Sequence, residues 1–215
     1  MKVFVMNKKD MNVGRGKSLR IDLQLVADQI TANSRVLDVG CGDGMLLDYL
    51  RDVKEVDGRG LELSMEKVGD AVRRGLPVIQ GDLETDLKHY PENAFDYVIL
   101  SQTLQSTRQP KEVLKNLLRL GKYAIVSFPN FGHWSVRLSL MVHGKMPTTK
   151  ILPQNWYNTD NIHLCTIRDF LALVEELNLN IKSGFALNKY GETRSFSATG
   201  YLANMLCEQA VFVLR

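Results

Sequence analysis

Hydrophobic and polar positions along the chain follow two periods, one typical of strands and one typical of helices. Short strand-like runs bounded by glycine, proline or polar residues are typical of strands buried on both faces of a sheet. They occur at residues 36–39, 58–63, 77–83, 94–101, 123–128, 181–187 and 210–214. Apolar residues at helical spacing precede or separate these runs, beginning with Leu19, Leu23, Val26 and Ile30. The alternation predicts a mainly parallel sheet with helices on both faces.

Several helix boundaries are also visible in the sequence. Ser64 can cap a helix over residues 65–74, and Gly75 would end it. Pro110 is suited to open the next helix, because the first helical position needs no N–H donor. Residues 166–169, Thr-Ile-Arg-Asp, look like a variant of the capping box. The remaining segments are expected to form a loop at residues 191–197 and a helix around residues 201–206.

The composition argues against several classes of protein. A length of 215 residues suits one α/β domain, expected to span residues 1–215 with one insertion. A net charge of +3 is too small to indicate a nucleic-acid or membrane partner. No apolar run approaches the ~20 residues of a membrane span, and the apolar run within residues 1–9 is too short for a signal peptide. Cys41, Cys165 and Cys207 form neither a disulfide framework nor a zinc pattern, so a reducing cytoplasm is expected.

The most informative motif is the turn that follows the first strand. It reads Asp-Val-Gly-Cys-Gly-Asp-Gly over residues 38–44 and leads into an apolar helix start. Gly40, Gly42 and Gly44 allow a tight turn and a close approach of the backbone to a ligand. The free N–H groups of the following helix would face the same ligand. The motif therefore predicts a site for a nucleotide-type cofactor.

Two carboxylates near this turn narrow the choice of cofactor. Glu62 follows Gly44 by eighteen residues and ends a second strand, where a doubly wound fold holds ribose hydroxyls. Asp38 would repel phosphate groups and attract an ammonium group. S-adenosylmethionine carries an ammonium, a sulfonium and a ribose, and it has no phosphate. The D-x-G-x-G-x-G pattern resembles the cofactor turn of class I S-adenosylmethionine-dependent methyltransferases. The alternative is a turn of the same fold that no longer binds a ligand.

That resemblance implies a Rossmann-like α/β fold, with a seven-stranded, doubly wound, mostly parallel sheet that closes with an antiparallel hairpin. It implies S-adenosylmethionine or S-adenosylhomocysteine as cofactor, with Asp82 contacting the adenine amino group and the end of the fourth strand in the crevice. The predicted cofactor-binding residues are Asp38, Gly40, Cys41, Gly42, Gly44, Glu62, Leu63, Asp82, Leu83, Ser101 and Gln102. Simpler roles stay open: turn or cap chemistry for Asp82 and Asp96, and packing for Cys41.

Residues 130–165, after the fifth strand, are too long for a simple connection and are interpreted as an insertion. His133, just beyond a strand end, is a candidate general base with no visible partner. Arg137 can bind a substrate carboxylate or form a surface salt bridge. The histidine spacings match no metal-ligand pattern, so no metal site is predicted. An apolar helical stripe, which either packs on the domain or serves as a lid or interface, comprises Trp134, Leu138, Met141 and Val142.

Segments outside the glycine turn carry a closer resemblance. They read Leu-Ser-Gln-Thr-Leu-Gln at residues 100–105, Val-Ser-Phe-Pro-Asn-Phe-Gly-His-Trp at 126–134 and Asn-Ile-His-Leu-Cys-Thr at 161–166. Together with segments at 19–23, 36–44, 144–147 and 152–157, they resemble the MetW family of methionine biosynthesis proteins. The resemblance implies a methyltransferase-like protein that supports homoserine O-acyltransferase, its partner, in methionine synthesis.

Two functions stay open at this point. The chain is either a cofactor-binding protein that supports the acyltransferase or an active methyltransferase that acts on a small molecule. No Asn-Pro-Pro-Tyr-type site follows the fourth strand, and no cysteine is placed for covalent methyl transfer. Methyl transfer between bound partners needs mainly alignment, so the sequence does not identify catalytic residues.

Overall fold

The computed structural model describes residues 19–149, 152–188 and 198–215, so the loop expected at residues 191–197 lies outside the described residues. In this part of the chain the strands are β1 Arg35–Val39, β2 Asp57–Glu62, β3 Val78–Gln80, β4 Phe95–Ser101, β5 Gly121–Pro129, β6 Ile181–Leu187 and β7 Gln209–Leu214. The helices are α1 Ile21–Asp28, α2 Met45–Lys54, α3 Met65–Arg73, α4 Leu83–Asp86, α5 Pro110–Leu120, α6 Trp134–His143, α7 Ile167–Glu176 and α8 Tyr201–Leu206. The predicted strands and helices are all present, with shifted boundaries.

The seven strands form one sheet in the order β3-β2-β1-β4-β5-β7-β6. The first five are parallel, and β7 runs antiparallel to both β5 and β6. The chain moves outward from β1 to β3 and then returns to the other side of β1 with β4. The strand order therefore reverses between β1 and β4, which is where open sheets of this kind bind ligands. The doubly wound sheet with a closing antiparallel pair is confirmed.

Side chains of the central strands are buried on both faces of the sheet. In β1, Leu37 and Val39 join the core on one face, which also includes Phe128 and the α7 residue Phe170. Val36 points to the other face and joins a second core beneath α1 and α2. This alternation explains why the central strands read as continuous apolar runs.

Three of the predicted helix ends are confirmed, and one is only partly right. Pro110 begins α5. Thr166 and Asp169 form the capping box, in which each side chain accepts a hydrogen bond from the other residue's backbone N–H. Gly75 adopts a positive φ of 74° after α3. Ser64 occupies the N-cap position of α3, but its hydroxyl makes no capping hydrogen bond. Its backbone N–H instead donates to the side chain of Glu62.

The connection from β5 to α7 contains α6 and then a long segment whose described residues form neither helix nor strand. The carbonyl oxygen of Gln105 fastens this segment by accepting hydrogen bonds from the N–H groups of Ile162 and His163. A further bond, from Phe131 N–H to the carbonyl oxygen of Cys165, closes the connection on itself. The interpretation of residues 130–165 as an insertion stays a prediction.

Candidate cofactor site

The predicted site residues come from three strands whose carboxyl ends lie side by side. Val39 of β1 pairs with Leu61 of β2 on one side and with Leu100 of β4 on the other. The residues that follow these three positions are the glycine turn, Glu62 and Ser101. They therefore meet at one edge of the sheet, beside the reversal of strand order.

All three glycines of the turn have positive φ angles, of 72°, 59° and 78°. A Cβ at Gly40 would lie 2.8 Å from Oγ1 of Thr103, and one at Gly44 would lie 2.4 Å from Cδ1 of Leu76. These two glycines are therefore required for packing as well as for backbone conformation. A Cβ at Gly42 would meet nothing within 4 Å. The backbone at Gly42 faces open space that a ligand can occupy.

The carboxylate of Glu62 is held in place by backbone donors. Its Oε2 accepts a hydrogen bond of 2.8 Å from Gly42 N–H, and its Oε1 accepts one of 2.9 Å from Ser64 N–H. The residue is only 8% exposed. A carboxylate has about four acceptor positions, so each oxygen can take a further hydrogen bond from a ligand hydroxyl. Glu62 is thus oriented before a ribose arrives.

Asp38 lies inside β1, next to Gly60 of β2 and Ile99 of β4, and is 3% exposed. Burial, assisted by the negative charge of Glu62, raises the pKa of the Asp38 carboxyl to about 7. A buried carboxyl of this kind is partly protonated near neutral pH. A cation brought close to it would favour its ionised form again, which suits an ammonium ligand.

The β3 side of the site contains Asp82, Leu83 and Leu63. Asp82 is the N-cap of α4, and its Oδ1 accepts a hydrogen bond of 2.9 Å from Glu84 N–H. The capping role considered from the sequence is therefore present, while the contact of Asp82 with adenine stays a prediction. Leu83 begins α4 and packs against the core. Leu63 follows Glu62 and is 66% exposed, so it offers an apolar surface beside the carboxylate.

The end of β4 holds the most unusual backbone of the site. Gln102 is a non-glycine residue with a φ of 54°, held by hydrogen bonds from its N–H to the carbonyl oxygen and Oγ of Ser127. Ser101 Oγ lies 3.0 Å from Ser127 Oγ. Non-glycine residues in this conformation concentrate at functional sites.

Two amide atoms in the same stretch are buried and lack hydrogen-bond partners among the described residues. They are Nε2 of Gln102 and Oε1 of Gln105. Most buried polar atoms in proteins are paired, so these two atoms are exceptions that set the end of β4 apart. The sequence placed residues 101–105 in the crevice, but Gln105 was not among the predicted cofactor-binding residues.

Cys41 serves packing. Its Sγ would lie 2.6 Å from a Cβ placed at Gly60, so this side chain fills the space against β2 that the glycine leaves. Burial, together with the charges of Asp38 and Glu62, raises the pKa of the thiol well above its ordinary value. A thiol in this state is a poor nucleophile, in agreement with the packing role.

His133 and Arg137 have structural partners. Nδ1 of His133 caps α6 by accepting a hydrogen bond from Ser135 N–H, and it lies 2.7 Å from Ser135 Oγ. Burial lowers the pKa of this imidazole. Nε of Arg137 donates to the carbonyl oxygen of Gly132 at 2.6 Å. His133 therefore has a capping role, while its role as a general base stays a prediction, and Arg137 stabilises the turn before α6.

Asp96 lies at the opposite end of β4 from the site. Its Oδ2 accepts a hydrogen bond of 2.9 Å from Arg35 N–H at the beginning of β1. Asp96 therefore joins the starts of two strands and takes no part in the crevice, as its simpler interpretation expected.

Asn130, which follows β5 directly, is a structural residue that was not predicted from the sequence. Its side-chain oxygen accepts hydrogen bonds from Gly132 N–H and Ile167 N–H. Its side-chain nitrogen donates to the carbonyl oxygens of Asn204 and Cys207. One buried amide thus joins β5 to the beginning of α7 and the end of α8. Nothing local in the sequence indicates these partners.

Within residues 19–149, 152–188 and 198–215, no cluster of three or more His, Cys, Asp or Glu side chains is arranged to hold a metal ion. In the same part of the chain, no helix is long and apolar enough to cross a membrane.

Solved structures with this architecture identify the fold. A S-adenosylmethionine-dependent methyltransferase from Mesorhizobium loti has a TM-score of 0.65 at 14% identity, over 91% of this chain and 98% of that one. A SAM-dependent methyltransferase from Thermotoga maritima, a possible histamine N-methyltransferase, has a TM-score of 0.63 at 20% identity, over 90% of this chain and 86% of that one. The chain therefore has the fold of class I S-adenosylmethionine-dependent methyltransferases.

Sequence comparison is more specific. The model of the family described as methionine biosynthesis protein MetW matches residues 20–214, and the chain belongs to this family. A bifunctional methionine biosynthesis protein MetXA/MetW from Rhodopirellula baltica is 36% identical over 173 residues. The match covers 76% of this chain but only 28% of that protein. A ubiquinone biosynthesis O-methyltransferase from Ruegeria is 28% identical over 185 residues, which are 78% of this chain and 69% of that protein.

Proposed function

We propose that this chain binds S-adenosylmethionine at the β2-β1-β4 edge and supports homoserine O-acyltransferase in methionine synthesis. The observation that carries the binding proposal is the Glu62 carboxylate, which two backbone N–H groups orient beside the open face of Gly42. Such an arrangement is suited to a ribose, because free acceptor positions remain on both carboxylate oxygens.

The other residues of the edge fit the remaining parts of the same ligand. Asp38 would hold the ammonium group, since a cation stabilises its buried carboxylate. Leu63 would lie against the adenine ring, and Asp82 would contact the adenine amino group. When bound, S-adenosylmethionine supplies a methyl group activated by its sulfonium. The demethylated product, S-adenosylhomocysteine, keeps the ammonium, ribose and adenine and would occupy the same residues.

Membership of the MetW family supports the second half of the proposal. The relative from Rhodopirellula baltica carries MetXA and MetW names in one polypeptide, and this chain matches only a part of it. A natural fusion is expected where two activities work side by side. By resemblance to the family, the partner of a separate MetW chain is homoserine O-acyltransferase.

The proposal is tested in two measurements on the full chain. Calorimetric titration with S-adenosylmethionine and with S-adenosylhomocysteine is expected to show one binding site for each. Co-purification with homoserine O-acyltransferase, and acyltransferase assays with and without this chain, are expected to show a complex and a higher rate. No heat of binding would overturn the cofactor half, and no complex with no change in rate would overturn the partner half.

A second candidate function is methyl transfer to a small molecule. It is favoured by the backbone of Gln102 at the end of β4, whose φ of 54° is a conformation that concentrates at functional sites. Alignment of an acceptor with the sulfonium methyl can suffice for the reaction, so no catalytic base is required. Release of S-adenosylhomocysteine on addition of a cell extract tests this function. No release above the rate without extract would count against it.

A further inference from the structure

Helix α6 presents most of its apolar side chains to the outside. Val136 is buried, whereas Trp134, Leu138, Met141 and Val142 are each between 43% and 78% exposed. The predicted apolar stripe therefore packs only in part on the described residues. Leaving four large apolar side chains exposed on a ten-residue helix is unfavourable unless another surface covers them.

A groove adjoins this helix. It has a volume of about 330 Å³ and is lined by Phe131 from the segment before α6 and by Met146 and Pro147 from the segment after it. Trp156, which is 74% exposed, and Ile162 line it as well. The groove and the exposed stripe belong to the same connection between β5 and α7. We call them together the α6 surface.

The charge along helix α6 is positive, while Asp160, between the groove residues Thr159 and Asn161, adds one carboxylate beside the groove. No Asp or Glu occurs from Val113 to Thr159, a stretch that includes all of α6. Arg137, His143 and Lys145 lie in or beside the helix and are exposed. An apolar helix bordered by the cations of Arg137 and Lys145 matches a partner surface that is apolar and bordered by acidic side chains.

We propose that the α6 surface is the docking site for homoserine O-acyltransferase. The inference rests on the proposed function, because it takes the occupant from the natural fusion of MetXA and MetW in a relative. The shape of the surface agrees with a protein partner: a concave groove of about 330 Å³ accepts a protruding side chain or loop, whereas a lipid surface offers no such projection. Exposed tryptophan and methionine side chains are typical centres of protein interfaces.

The test compares three variants in the same co-purification with homoserine O-acyltransferase from the same organism. Met141→Glu and Trp156→Glu place a carboxylate at the centre of the proposed surface. Val72→Glu is the matched control, since it replaces an exposed apolar residue on α3, outside the α6 surface. All four proteins are also titrated with S-adenosylmethionine and melted, so that loss of folding is recognised separately from loss of the partner.

We expect Met141→Glu and Trp156→Glu to weaken the complex by about tenfold or more, as for residues at an interface centre. We expect Val72→Glu to bind like the wild type, with all melting temperatures similar. If the wild type binds and both α6-surface variants bind equally well, the surface assignment is wrong while the proposed function stands. If the wild type fails to bind, the partnership itself is wrong and the inference falls with it. The α6-surface variants are also tested for self-association and for sedimentation with vesicles of anionic phospholipid. If they lose either of these while they still bind the acyltransferase like the wild type, another occupant covers the surface and the proposal is wrong.

Discussion

The carboxylate of Glu62 accepts a 2.8 Å hydrogen bond from the backbone N–H of Gly42, so the end of β2 is tied to the middle of the glycine turn. The two residues are twenty positions apart in the sequence. The contact sets the orientation of the carboxylate and the shape of the turn together, before any ligand binds. A site assembled in this way loses less conformational freedom on binding, which favours affinity.

Replacing Glu62 by alanine should weaken S-adenosylmethionine binding. The substitution removes the acceptors proposed for the ribose, and hydrogen bonds to a charged group contribute roughly 1.5–3 kcal/mol, or about 10- to 150-fold in Kd. Glu66→Ala is the control, because Glu66 is an exposed carboxylate on the first turn of α3. Calorimetric Kd values that are equal for the wild type and Glu62→Ala would place the ligand elsewhere.

Gly42 allows conformation and space to be tested separately. Asparagine tolerates the left-handed backbone that Gly42 adopts at a φ of 59°, whereas valine is strained there by about 1–2 kcal/mol. Nothing lies within 4 Å of the position of a Cβ, so Gly42→Asn should fold with little loss of stability. If the cofactor occupies this open space, Gly42→Asn should bind the cofactor more weakly than the wild type does. Gly42→Val should lose both cofactor binding and stability. Undiminished binding by Gly42→Asn would mean that the space beside this residue is not used.

The raised pKa of Asp38 predicts a pH-dependent affinity. In the free protein the carboxyl titrates at about 7, and a bound ammonium group would lower that pKa. Binding then releases a proton below pH 7, so the affinity should rise with pH up to about 7, by at most tenfold per unit. Above about pH 8 the ligand's own amino group loses its charge, and the affinity should fall. Calorimetric titrations of the wild type and of Asp38→Asn across this pH range measure the effect, and Asp38→Asn should show no rise in affinity with pH. A wild type whose affinity does not change with pH would contradict the prediction.

The same carboxyl should lower the stability of the protein as the pH rises, whereas it raises the affinity for the ligand. Its pKa is higher in the folded protein than the ordinary value of 3.8, so the folded state binds more protons between about pH 4 and pH 7. The contribution of Asp38 to the free energy of unfolding therefore falls as the pH rises through this window and stays low above it. Asp38→Asn should be more stable than the wild type at pH 8 and lose that advantage near pH 4. Urea unfolding at the two pH values gives the comparison, and a variant less stable at pH 8 would contradict the assignment.

Much of the fold and the centre of the site could be predicted because their signals are local. The strand before Gly40, the three glycines and the spacing to Glu62 each follow from the requirements of one turn. The conformation of Gln102 and the unpaired oxygen of Gln105 could not be predicted, because they depend on how β4 meets β5 and the segment near His163.

The roles of residues in the connection after β5 could not be predicted from the sequence for a related reason. His133 stands just beyond a strand end, where a general base is plausible, and only the position of Ser135 shows that it is a cap. Helical spacing predicted the apolar stripe of α6, but periodicity cannot tell a stripe that faces the core from one that faces outward. The structure shows Met141 78% exposed, which changes the interpretation of the helix.

Asn130 should be essential for stability, because its buried side chain makes hydrogen bonds to residues 2, 37, 74 and 77 positions away. Asn130→Asp keeps the shape and the acceptor but cannot donate to the carbonyl oxygens of Asn204 and Cys207, and it places a carboxylate against them. Loss of two buried hydrogen bonds costs on the order of 3 kcal/mol, which in a chain of this size lowers the Tm by roughly 6–12 °C. Asn158→Asp, at an exposed position, should change the Tm little. Thermal and urea unfolding of the two variants decide the point: equal stability would mean that the contacts of Asn130 add nothing, whereas a selective loss in Asn130→Asp would show that this one amide holds α7 and α8 against the end of β5.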